Sequence, residues 1–212
     1  MSDPTSVQTN MRNATIPPLK GDGSGVYRVH IVGNSGAGKS TLADELGAML
    51  NLPVIHFDRL FWLPGWRESQ NDEFNAKVTA ALSSEACPRG WVVDGNYNKR
   101  LRGQMDCATD IIWLDTPFLL YFPRLLKRTF LRLFRITDSC APGCDERFSE
   151  VFFSRDSIIW WSITNHIPVK RRCAERLRVE GVHMGGRMRR IGGWGAELEE
   201  WKRDVRELIK GK

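Results

Sequence analysis

Gly33-Asn34-Ser35-Gly36-Ala37-Gly38-Lys39-Ser40 fits the pattern G-x-x-x-x-G-K-[ST] at every fixed position. Val29-His30-Ile31-Val32 ahead of it reads as a short buried strand, and Ser40 to Leu50 behind it reads as a helix. That strand–loop–helix setting is what a phosphate-binding loop requires. Glycines let successive backbone N–H groups turn inward and approach an anion closely. The following helix presents its positive dipole end to the same oxygens. The expected nucleotide contacts are Gly33, Asn34, Ser35, Gly36, Ala37, Gly38, Lys39, Ser40 and Thr41. Lys39 would reach the β- and γ-phosphates, and the Ser40 hydroxyl would ligate Mg²⁺.

Working outward, Leu52 to Phe57, Trp91-Val92-Val93 and Ile111 to Leu114 read as further strands, with a last short one within Met184 to Ile191. Helices are predicted over Asp72 to Ser84, Phe118 to Arg135, about Ser149 to His166, Val169 to Glu180 and Glu197 to Lys210. Strands alternating with helices at this spacing argue for a parallel sheet covered on both faces. Leu60 to Trp66 reads as an aromatic loop with a Pro-Gly turn. The first 25 residues, rich in polar residues, Pro and Gly and lacking an apolar signal core, read as a disordered arm. Residues 26–212 read as one domain.

The chain has 212 residues, enough for one α/β domain with a substantial core. Its net charge of +6 suits an anionic substrate. No run of 18 apolar residues exists, so no transmembrane helix is predicted. Five cysteines without a secretion signal point to free thiols in a reducing cytoplasm. Cys140-Ala141-Pro142-Gly143-Cys144 lacks the further Cys or His that zinc would need, so a Pro-Gly turn is preferred there.

Three carboxylates sit at or just beyond predicted strand ends: Asp58, Asp94 and Asp115. Ligands of open parallel sheets bind outside the carboxyl ends of the strands. Asp94 is the candidate for holding Mg²⁺, directly or through water. Asp58 is the candidate for orienting a substrate hydroxyl or taking its proton. A carboxylate that merely caps a turn is the alternative for each, and Asp115 is read as structural. On the long helix, Leu119, Phe122, Leu126, Phe130 and Leu133 are expected to form the apolar side. Arg124, Lys127, Arg128, Arg132 and Arg135 form a basic stripe. It is either a solvated face or a set of guanidinium groups over a phosphoryl. Arg124 and Arg128 lead the second reading, ahead of Arg132, Arg147 and Arg155. Phe61, Trp62, Trp66 and Tyr97 line an acceptor pocket or form satellite core; both readings stay open.

Together these segments resemble the nucleotide-kinase branch of phosphate-loop proteins. Within it they resemble the adenylate-kinase-like group known as DNA topology modulation proteins. The resemblance is carried by the loop through Ala43, His56-Phe57-Asp58, Phe61-Trp62, Pro64-Gly65-Trp66 and Trp91-Val92-Val93-Asp94-Gly95-Asn96-Tyr97. Ile112-Trp113-Leu114-Asp115 with Pro117, Arg124, Lys127-Arg128, Pro142-Gly143-Cys144 and Glu146-Arg147-Phe148 continue it. It implies a three-layer α/β/α fold of the P-loop NTPase type with a five-stranded parallel sheet. It also implies a substrate-binding segment at about 58–90 and an arginine-bearing helical lid at about 124–155. ATP with Mg²⁺ is the implied phosphoryl donor, and a small molecule or nucleotide the acceptor. Asp94 matches the aspartate of the Asp-Gly-Phe-Pro-Arg segment of adenylate kinases, but Asn96-Tyr97 replace Phe-Pro and no arginine follows directly. A nucleotide-dependent nucleic-acid-binding or regulatory NTPase is the second reading. It ranks lower because the chain carries no recognisable nucleic-acid module.

Overall fold

The computed structural model describes residues 17–211, apart from 84, 138, 140 and 145–157. Its centre is a five-stranded, all-parallel sheet in the order β2-β5-β1-β6-β7. The strands are β1 (Tyr27–Gly33), β2 (Val54–His56), β5 (Gly90–Asp94), β6 (Asp110–Leu114) and β7 (Met188–Ile191). Helices α1 (Lys39–Leu50), α3 (Asn71–Ala81), α4 (Phe118–Leu133), α5 (Ile158–Glu180) and α6 (Ala196–Lys210) flank it. This is the α/β fold expected, with every predicted strand present.

The near-continuous apolar runs of the strands follow from burial on both faces. Val29 and Ile31 of β1, Val92 of β5, and Ile112 and Leu114 of β6 pack with Leu42 and Leu46 of α1 and with Trp201 and Val205 of α6. The intervening residues Val32, Trp91, Val93, Ile111 and Trp113 join Phe57, Phe61, Phe74 and Val78 on the opposite side. A period of two thus assigns each strand residue to one of two cores.

Four expectations are corrected. The arm does not run as far as residue 25. Leu19 is buried, the Lys20 and Gly21 amides donate to Asp110 at 2.6 and 3.0 Å, and Trp201 Nε1 donates to the Pro18 carbonyl at 3.0 Å. Residues 1–16 of the arm lie outside the described residues. The aromatic loop contains regular structure: a short helix α2 (Phe57–Phe61), then a hairpin of β3 (Trp62–Leu63) and β4 (Arg67–Glu68). The Pro-Gly turn sits at its tip, and Trp66 there takes a left-handed φ of 58°.

Helix α4 buries Tyr121, Leu125 and Thr129, whereas Leu119 is 74% and Phe130 41% exposed. The reason is a neighbour no periodicity reveals. Gly36 of the phosphate loop lies so close that a Cβ there would meet the Tyr121 carbonyl at 3.0 Å and Leu125 Cβ at 3.1 Å. Finally, Val169 to Glu180 does not form a separate helix. α5 runs unbroken from Ile158 through Pro168. Proline removes one backbone donor, and packing against β1, β7 and α4 carries the helix past it. The predicted start near Ser149, Arg147, Arg155 and Cys140 lie outside the described residues.

His30 of β1 is fully buried and donates through Nε2 to the Gly95 carbonyl at 2.9 Å. Burial lowers its pKa from 6.5 to about 4. The unfolded chain therefore binds the extra proton between those values, so stability is full above pH 6.5 and falls as pH drops towards 4. At 1.36 kcal/mol per unit the loss amounts to about 3 kcal/mol. His30→Gln keeps a donor and cannot titrate. Urea unfolding from about pH 7 to about pH 4 should cost the wild type roughly 3 kcal/mol more than this variant. Equal losses would show that His30 is protonated at little cost.

Candidate active site

The phosphate loop begins where β1 ends. Gly33 has φ 147°, and a Cβ there would lie 2.5 Å from the Leu114 carbonyl of β6, so only glycine fits. At the other end Gly38 caps α1 in a left-handed conformation with no side-chain hydrogen bond. The first amides of α1 thus have no capping side chain to satisfy them and suit an anion. Lys39 folds back over the loop and its ammonium donates to the Asn34 carbonyl at 3.0 Å. Burial pulls the Lys39 pKa below the usual lysine value, while the charges of Asp94 and Asp58 oppose that shift. Thr41 follows, exposed on the first turn of α1 and lining the cleft.

Asp94 is the last residue of β5, in register with Ile31 of β1 and His56 of β2, which carries it to the carboxyl ends of three strands. It is 5% exposed. One carboxylate oxygen accepts from the Ser40 hydroxyl at 2.7 Å and the other from His56 Nδ1 at 2.6 Å. Burial works against its charge, but those donors and the Lys39 ammonium outweigh it and hold the pKa below the ordinary carboxylate value. His56 is pushed the opposite way by the Asp94 bond, and its Nε2 stands 3.3 Å from Asp44. His56 and Asp44 were missed by sequence reading. The signals were present: His56 ends the strand that pairs beside Asp94, and Asp44 lies one helical turn beyond Ser40.

Asp58 lies on the first turn of α2, directly after β2, and is exposed to the cleft. The Tyr97 hydroxyl donates to its Oδ1 at 2.6 Å. The aromatic cluster divides between the two roles proposed for it. Phe61 is buried in the core with Phe57 and Phe74. Trp62 and Trp66 are half-buried on the cleft wall, their rings 5.5 Å apart in a T arrangement. Arg124, Arg128 and Arg132 of α4 line the cleft opposite, and Arg128 reaches the Ser35 hydroxyl at 3.4 Å. Arg135 lies beyond the end of α4 and does not line it. Asp115 lies outside the cleft, buried in ion pairs with Arg190 at 2.7 Å and Lys170 at 3.5 Å. Arg172 and Arg176 of α5 also line the cleft. Sequence reading passed them over because nothing local joins α5 to the loop.

The loop from Ser35 onward, Asp44, His56, Asp58, Asp94, Trp62, Trp66 and those arginines of α4 and α5 border one cleft of about 1680 Å³. A pocket for one small ligand is typically about 300–1,000 Å³, so there is room for two. Among the described residues no group of three or more His, Cys, Asp or Glu could hold a metal. The hard oxygens of Ser40 and Asp94 nevertheless fit Mg²⁺, which keeps several waters and takes few protein ligands. No helix among the described residues is long and apolar enough to cross a membrane.

No protein-family model matches the chain, and no curated protein sequence matches it. Solved structures do. Shikimate kinase from Acinetobacter baumannii in complex with shikimate superposes with a TM-score of 0.50 at 14% identity, over 88% of this chain and 95% of that one. A gluconokinase from Sinorhizobium meliloti gives 0.49 at 16% identity, over the same shares. At this identity the likeness is one of fold alone: a parallel α/β sheet flanked by helices, shared with that shikimate kinase.

Proposed function

We propose that the protein is an ATP- and Mg²⁺-dependent phosphotransferase acting on a small, hydroxyl-bearing acceptor. The observation that carries this reading is the sharing of one cleft by the phosphate loop and a second wall built around Asp58. Lys39 feels the charge of both Asp94 and Asp58, so the two walls are electrostatically continuous. A switch that only senses a triphosphate has no need of the second wall.

In this reading the loop amides beyond Gly33, up to Thr41, and the Lys39 ammonium hold the polyphosphate. Ser40 and Asp94 would hold Mg²⁺, which would supply neutralisation of the phosphate charge. Asp58, oriented by Tyr97, takes the proton of the acceptor hydroxyl as its oxygen bonds to the γ-phosphorus. The bond from that phosphorus to the β-phosphate oxygen breaks, and ADP leaves. Arg124 and Arg128 face the charge that spreads over the equatorial oxygens.

The chain from residue 17 onward would act as one domain, with the acceptor bound by the segment at about 58–90 under a lid at about 124–155. A hydrogen bond from the Gly65 amide to the Gly143 carbonyl, 2.8 Å, joins the hairpin tip to the turn that follows α4 and supports that pairing. The narrower kinship with DNA topology modulation proteins rests on the Trp-x-Pro-Gly-Trp and Asp-Gly-Asn-Tyr segments, and a cytoplasmic location on the free cysteines. Arg124, Arg128, Arg132, Arg172 and Arg176 line the cleft, which favours the phosphotransferase reading over the nucleic-acid one.

Asp58→Asn separates chemistry from binding. Transfer should fall about 100-fold through loss of the base, while ATP affinity, measured by calorimetry, stays within about twofold because Asp58 touches the acceptor side. Unchanged transfer would remove Asp58 from the mechanism.

A further inference from the structure

β1 extends past its partner. Ile31 is in register with Asp94, the last residue of β5, and the Gly95 amide donates to the Ile31 carbonyl at 3.2 Å. Backbone direction in a strand repeats every two residues, so Gly33 turns its N–H and C=O to the same side as Ile31. No strand residue stands there. On the opposite side Gly33 lies against Leu114 of β6.

The side chain of Asn96 fills the missing rung. Its Oδ1 accepts from the Gly33 amide at 3.2 Å, and its Nδ2 donates to the Gly33 carbonyl at 2.6 Å. A carboxamide offers one acceptor and a donor side by side, as a peptide does, whereas a carboxylate lacks the donor and alanine has neither. Gly33 opens the phosphate loop. Its carbonyl belongs to the peptide whose N–H is that of Asn34, and in a planar trans peptide the two point in opposite directions. Anchoring the carbonyl therefore also fixes the direction of the Asn34 amide, and with it the entry to the loop.

We propose that Asn96 is a positioning residue for the nucleotide's phosphates, acting through Gly33. The inference rests on the nucleotide reading above. Two neighbours extend its reach: Asp94 holds Ser40 at the far end of the loop and Tyr97 holds Asp58 on the acceptor wall. Residues 94–97 thus tie both ends of the loop to the acceptor wall, with Asn96 at the entry.

The test uses Asn96→Ala and Asn96→Asp with MgATP as the probe in calorimetry, and amide exchange at Gly33 and Asn34 in the protein alone. Both variants should bind MgATP about tenfold more weakly, since both lose the bond to the Gly33 carbonyl. Gly33 exchange should quicken in the alanine variant and stay slow in the aspartate variant, which keeps the acceptor. Unfolding temperatures should stay close to wild type, because Asn96 is exposed; a merely structural role would lower them in step with affinity. MgATP affinity within twofold of wild type in both variants, or Gly33 exchange unchanged in the alanine variant, overturns the inference alone. A wild type that binds no MgATP overturns the nucleotide reading and the loop-setting role together. The exchange result still reports on the clamp itself.

Discussion

Lys39→Ala is expected to cut phosphoryl transfer by about three orders of magnitude, on the scale of losing one preorganised charge from a transition state. The Lys39 ammonium is drawn over the loop, its charge resisted by burial and supported by Asp94 and Asp58. A group so placed costs the protein desolvation in the free state and returns it when phosphate oxygens take over from the Asn34 carbonyl. The fold should tolerate the change. The core face of α1 is Leu42, Ala43 and Leu46, which the substitution does not touch, and Lys39 begins the helix. Thermal unfolding of the variant checks this. Transfer within tenfold of wild type by a folded variant would remove Lys39 from the mechanism.

Asp94→Asn is the second large effect, and it should strike both activity and stability. The carboxylate accepts from Ser40 and His56 while almost wholly buried. Asparagine keeps the shape but removes the charge and turns one acceptor into a donor. Breaking a buried charge-assisted pair typically costs about 1.5–3 kcal/mol, and urea unfolding should show a loss of that size. Transfer should fall by about 100-fold or more, and half-maximal activity should require about tenfold more Mg²⁺, because the hard anionic oxygen beside Ser40 is gone. His56 provides an independent reading. Asp94 raises its pKa, so in the variant the imidazole should titrate at lower pH by NMR. An unmoved His56 with an unchanged Mg²⁺ requirement would show that Asp94 governs neither.

What could be read from the chain divides along physical lines. The loop, the strands and the helix after the loop were legible because each is set by contiguous residues, and because burial on both faces leaves unmistakable apolar runs such as Ile111-Ile112-Trp113-Leu114. The buried face of α4 was misread because Phe118 to Leu133 carries apolar residues on several sides. Only the close approach of Gly36 selects Tyr121 and Leu125. Asp94 and Asp58 stood out as candidates because strand ends mark the ligand side of a parallel sheet. Ser40 and Tyr97 were named too, but the bonds that tie them to Asp94 and Asp58, and the role of His56, depend on register and on the placing of α1 and α2. Arg172 and Arg176 needed the packing of α5 across the sheet. The expected disorder before residue 26 gave way where Leu19 and the Lys20 amide found the core and Asp110.

The central claim is that the phosphate loop and the Asp58 wall together move the γ-phosphoryl to a second molecule. Incubation with γ-labelled ATP and Mg²⁺ against a panel of nucleosides, nucleotides and small hydroxylated metabolites tests it most directly. Label should appear on one class of acceptor, in a reaction that needs Mg²⁺ and is lost in both Lys39→Ala and Asp58→Asn. Label released only as inorganic phosphate whatever acceptor is present, or transfer that survives both substitutions, would contradict it.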